Sequence, residues 1–104
     1  MYGKEKEYVY IIKFNGKTVR KGIIRARSPG DAKEQVLEML FDEAEVETNC
    51  VAIKVFFKDF EVLTYICKDW RDIVRSALDK LKIHVVEKEI IDEFKEILEN
   101  NENI

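Results

Sequence analysis

Two cysteines, one histidine, two acidic runs and a basic N-terminal stretch are the parts of this chain whose side chains could define a site. Cys50 and Cys67 are too few for a disulfide framework and show no zinc-ligand spacing. A reduced, partly buried pair is the expectation. A β-hairpin turning at Lys58-Asp59 would set the two directly opposite, within touching distance, so a cross-strand disulfide stays open. Nucleophilic catalysis needs a Ser or Cys beside a base. His84 falls at an expected junction between two helices, where an imidazole caps a carbonyl or faces solvent. The four glycines, Gly3, Gly16, Gly22 and Gly30, build neither a P-loop nor a dinucleotide fingerprint. Pro29-Gly30 opens a helix whose free N–H groups suit a phosphate, but Asp31 already occupies that positive end. Asp69 and Asp72, and Glu89, Asp92, Glu93 and Glu96, read as solvated helix faces, with a divalent-cation site the weaker alternative. No catalytic residue, metal ligand or cofactor is expected, and the chain reads as non-enzymatic.

The basic stretch is the feature with most to offer. Residues 1–28 hold eight Lys and Arg against two Glu, a charge of +6, whereas residues 29–104 carry −9. The candidate binding residues are Lys13, Lys17, Arg20, Lys21, Arg25 and Arg27, with Val9, Ile11 and Ile23 as an apolar centre between them. Such a mixed face suits an acidic protein partner or a second copy of the chain. Nucleic acid is the alternative, since cations neutralise phosphates and aromatic rings stack on bases. Against it, the aromatics are expected on the opposite face, and the sequence pI of about 5.3 lies far below that of typical nucleic-acid modules.

The elements that would position these residues follow from pattern. Residues 7–14 are β-branched and aromatic, Asn15-Gly16 is a hairpin turn, and the return strand runs from about Thr18 to Arg27. A two-residue turn sets Tyr8, Tyr10 and Ile12 with Val19, Lys21 and Ile23. A three-residue loop with a bulge at Gly16 sets them with Thr18, Arg20, Gly22, Ile24 and Ala26, and is preferred. It places Gly22 beside an aromatic ring and leaves Val9, Ile11, Val19 and Ile23 among Lys13, Lys17, Lys21, Arg25 and Arg27. A one-residue slip exchanges the faces.

Ser28 caps the next helix, Pro29 takes its first position, and Asp31 suits its dipole. This helix runs to about Ala44 or Glu45 on a stripe of Ala32, Val36, Met39, Leu40 and Ala44. Glu43–Asn49 reads as an acidic connector. Strands follow at Cys50–Lys58 and Val62–Cys67. Asp69 caps a helix beginning near Trp70, its core anchor, and a third helix spans about Glu87–Glu99. Over about residues 8–57 the order of Asn15-Gly16, Ile24-Arg25-Ala26-Arg27-Ser28 and a capped helix with Ala32 distantly resembles small archaeal ribosomal-protein modules. That likeness rests on ββαβ order and no diagnostic motif, and no family is assigned from it.

The expected fold is therefore α+β, ββαββαα: a mostly antiparallel four-stranded sheet with one helix packed on it and a C-terminal helical hairpin. Residues 1–104 form one domain, with a sheet–helix core over 1–68 and the helical hairpin over 69–100. Met1–Glu7 lacks the apolar character of a signal peptide, and uncharged runs such as Val62–Cys67 are far too short to span a bilayer. The chain is expected to be cytoplasmic and without membrane contact.

Overall fold

The computed structural model describes residues 4–48, 52–65 and 69–93. The elements in order are β1 (Lys6–Phe14), β2 (Lys17–Ala26), α1 (Pro29–Glu43), β3 (Glu45–Thr48), β4 (Ile53–Phe56), β5 (Glu61–Thr64), α2 (Trp70–Asp79) and β6 (Lys82–Glu87). A helix, α3, follows at residues 88–93. The strands form two antiparallel three-stranded sheets, ordered β2-β1-β6 and β3-β4-β5. The fold is α+β as expected, but the single four-stranded sheet is not formed.

Two short strands account for that difference. β3 replaces the expected acidic connector and occupies the edge of β4, with Val46 opposite Val55. β6 replaces the expected break between helices and pairs with β1, so α2 and the described part of α3 are separated by a strand instead of following one another as a helical hairpin. Ile83 and Val85 on β6 pack against the core while His84 and Val86 are exposed. That alternation of β-branched residues is what a half-buried strand requires.

The first hairpin reaches the expected face by a different route. Asn15 (φ 52°) and Gly16 (φ 77°) form a two-residue turn, with Phe14 opposite Lys17. Positive φ at both positions matches the right-handed twist of the flanking strands. The bulge lies deeper: Lys13 pairs with Thr18 but Ile12 with Arg20, and Val19 is the extra residue. Beyond it Tyr10 faces Gly22 and Tyr8 faces Ile24. A β-carbon on Gly22 would lie 2.6 Å from the Tyr10 hydroxyl oxygen. The ring therefore crosses the bare backbone of Gly22, as anticipated, while Thr18 moves to the side of Lys13.

Helix α1 is capped as its sequence demands. The Ser28 hydroxyl accepts from the Asp31 amide at 3.1 Å, and the Asp31 carboxylate accepts from the Arg27 amide at 3.0 Å and from the Gln35 side-chain amide at 3.2 Å. Asp69 caps α2 by accepting from the Asp72 amide at 3.0 Å. Ala32, Val36 and Leu40 of α1 are fully buried. The helix packs on β1, β2 and β6. One hydrophobic cluster joins Tyr10 and Ile12 of the first sheet to Val36 and Leu40, to Ile53, Val55 and Val62 of the second sheet, and to Ile73, Val74 and Ala77 of α2. Burial of the Ile, Val and Leu side chains among these, at roughly 1.5–3 kcal/mol each, is the main force holding the two sheets to the helices. Thr64, buried in β5, shares a 2.8 Å hydrogen bond with Ser76 of α2. Trp70 is 43% exposed and meets Phe41 edge-on at 4.9 Å, so it ties α2 to α1 at the surface instead of anchoring a core.

The β4–β5 hairpin turns at Lys58-Asp59 as expected: Phe57 donates to the Phe60 carbonyl at 2.8 Å, and Ile53 faces Thr64. Cys50, Cys67 and the part of the expected third helix beyond residue 93 lie outside the described residues. No helix among the described residues is long and apolar enough to cross a membrane.

Candidate interaction surface

Strand alternation divides the first sheet into two faces. Tyr8, Tyr10 and Ile12 point to the core under α1, so Val9, Ile11 and Lys13 point away from it. Register then builds the outer face in rows. Ile23, Val9 and Val86 lie side by side across β2, β1 and β6; Lys21, Ile11 and His84 form the next row; Thr18, Lys13 and Lys82 form the third. Ile23 is 55% and Val86 38% exposed. α1 takes the other face and α2 packs on the second sheet, while α3 borders this face at Glu7 and Arg25.

Six of the nine candidate residues thus come together: Val9, Ile11, Ile23, Lys13, Lys21 and Arg25 share the outer face, Arg25 standing opposite Glu7. Val86, His84 and Lys82 join them from β6. Sequence reasoning missed these three because it had no strand there, although Ile83, Val85 and Val86 carried a β-branched signal. Val19, expected on this face, packs against the core because the bulge turns it inward. Lys17 sits at the turn opposite Phe14, exposed. Arg27 lies between β2 and α1, its amide held by Asp31.

Arg20 is placed elsewhere altogether. Its side chain is 11% exposed, and the guanidinium pairs with Glu43, at the end of α1, and with Asp59, in the β4–β5 turn. Its Nε donates to both Asp59 carboxylate oxygens at 3.0 Å, and the charge lies 5.6 Å from the Phe60 ring centre. The Glu43 side chain is only 7% exposed, and its carboxylate also accepts from the Lys58 amide at 3.4 Å. The Arg20 hydrogen bond holds the Asp59 carboxyl below the usual range, against a smaller opposing effect of burial. The Asp59 hydrogen bond in turn raises the Arg20 guanidinium further above its already high value. Arg20 is thereby a clamp between the two sheets, with its charge spent internally.

The outer face is electrically polar along its strands. At the turn end, a cleft is lined by Lys13, Asn15, Gly16, Lys80, Lys82 and His84, with no carboxylate among them. Lys80 donates to the Leu63 carbonyl at 2.6 Å. Lys13 and Lys82 have no ion-pair partner among the described residues. At the opposite end a second cleft gathers Glu5, Glu7, Glu87, Glu89, Asp92 and Glu93 with Lys6, Arg25 and Lys88. There Lys6 pairs with Glu87 at 3.4 Å and Lys88 with Asp92 at 3.8 Å. That leaves Glu5, Glu7, Glu89 and Glu93 against Arg25, an acidic balance.

His84 is exposed and opposes Ile11 in the ladder, with no Ser or Cys lining its cleft. Among the described residues no three His, Cys, Asp or Glu side chains come together as a metal site. Comparison with known proteins adds no name: no family model, no curated protein and no solved structure matches the chain.

Proposed function

We propose that this chain is a small non-enzymatic interaction module that docks a protein surface on the outer face of β2-β1-β6. The observation that carries the reading is the row Ile23–Val9–Val86, continued by Ile11, left open by α1 and fringed by Lys13, Lys21 and Lys82. An apolar centre inside a charged rim is the anatomy of a protein interface. Exposed β-branched residues aligned over three strands also mark such sites more strongly than scattered ones do. A photo-crosslinking residue in place of Ile23, with one in place of Glu34 on the exposed side of α1 as control, tests the reading in cell extract. A protein adduct from position 23 alone supports it; nucleic-acid adducts, or none, contradict it.

The alternative is nucleic-acid binding, favoured by the carboxylate-free cleft of Lys13, Lys80, Lys82 and His84, with Lys17 directly after the same turn. It predicts binding of single-stranded RNA or duplex DNA that falls steeply with salt. The acidic end of the same face and the net charge of −3 weigh against it. Fluorescence anisotropy at low salt decides: no binding removes this reading.

A further inference from the structure

We infer that the occupant of the outer face is a second copy of this chain, packed face to face with its strands running in the opposite direction. The inference rests on the reading of that face as a protein-docking surface, and names its partner. Charge chooses the partner and its orientation. Lys13 and Lys82 stand at one end of the face and Glu7 at the other, Lys13 and Glu7 lying about 20 Å apart along β1 at 3.3–3.4 Å per residue. A two-fold axis running along the strands would stack basic end on basic end and acidic end on acidic end. An axis crossing the strands at Tyr10 does the opposite. Lys13 and Glu7 are equidistant from Tyr10 on β1, so each Lys13 comes over the Glu7 of the other copy. Val9 then meets Ile11, and every contact occurs twice, as an isologous interface requires. An acidic partner of another kind would satisfy only the basic end.

The face is small. Three strands about 4.8 Å apart and this length give roughly 14 Å by 20 Å, about 280 Å² per copy, well below the roughly 800 Å² per partner of a standard interface and in the range of weak, transient contacts. The dimer should therefore dissociate on dilution.

Sedimentation equilibrium from about 1 µM to about 500 µM, at low salt and at about 0.5 M salt, tests this. A monomer–dimer equilibrium that weakens with salt is expected. Ile23→Lys and, separately, Val86→Lys should raise the dissociation constant about tenfold or more, with the circular dichroism spectrum unchanged. Lys13→Glu should weaken the dimer several-fold, and Lys13→Glu with Glu7→Lys in one chain should restore it. A dimer indifferent to all of these, or singles not rescued by the double change, overturns the inference. So does a chain that is monomeric throughout. In that case radical footprinting separates the two levels. Labelled Ile23 and Val86 leave the docking reading standing without self-association, and protection of both residues in the monomer removes the docking reading as well.

Discussion

Val86 stands directly opposite Val9 across the β1–β6 ladder, on the side of the sheet turned away from α1. With Ile23 on the far side of Val9, this pair makes an apolar row three strands wide that nothing described in the chain covers. The row exists only because β6 joins the first hairpin. Without β6, Val9 and Ile11 would sit on an edge strand instead of at the centre of a sheet.

Because Ile23 is more than half exposed, Ile23→Lys should change the unfolding free energy by less than about 1 kcal/mol. Urea unfolding at micromolar concentration checks this. A large loss of stability would show that the side chain is buried within the chain itself.

Arg20→Ala should behave in the opposite way. It strands Glu43, whose side chain is 7% exposed, without its cation and with only the Lys58 amide as partner. Leaving such a partly buried acceptor without its partner destabilises by about 1–3 kcal/mol; the exposed Asp59 arm adds little. Arg20→Ala should lower the urea midpoint strongly, yet leave the affinity of the folded fraction for its partner unchanged, since Arg20 does not reach the outer face. Loss of affinity without loss of stability would return Arg20 to the binding surface.

Acid should release the same clamp. The Asp59 carboxyl is held below its unfolded value by Arg20. Between the two values the unfolded chain binds the extra proton, so stability rises with pH there. The contribution is present above the ordinary carboxylate value of about 3.9 and is lost as pH falls through the lower folded value. Asp59→Asn should flatten the acid limb of a stability–pH profile below about pH 4. An unchanged slope would detach Asp59 from acid sensitivity.

Gly22→Ala tests the hairpin register. The added methyl would sit 2.6 Å from the Tyr10 hydroxyl oxygen, and Tyr10, 9% exposed, has little room to yield. Overpacking of this kind costs about 1–3 kcal/mol. Denaturant unfolding should show a loss in that range, whereas a neutral result would mean that Tyr10 and Gly22 are not opposed.

What could be read from the sequence was local and repeated. Ser28-Pro29-Gly30-Asp31 announced α1, Asp69 announced α2 and Asn15-Gly16 announced the first hairpin, because each signal is a backbone requirement met within a few residues. The face of Val9, Ile11 and Ile23 followed from period-two alternation. The bulge at Val19 was invisible, since a two-residue turn plus a deep bulge and a three-residue loop give the same pairing beyond Arg20. β3 offers one inward apolar residue, Val46, too little for a pattern. β6 lies between helices and is drawn into the sheet by the open edge of β1. Arg20 could not be told from its neighbours, because its partners Glu43 and Asp59 are distant in sequence and meet it only in the fold.

The most direct test of the central claim is hydroxyl-radical footprinting of Val9, Ile23 and Val86, read by mass spectrometry. The isolated chain at nanomolar concentration is compared with the same chain at about 500 µM and in cell extract. The outer face should be labelled in the dilute chain and protected in the concentrated chain or in extract, with Glu34 on α1 unchanged. Equal labelling in all three conditions, or protection already in the dilute chain, would contradict a docking role for this face.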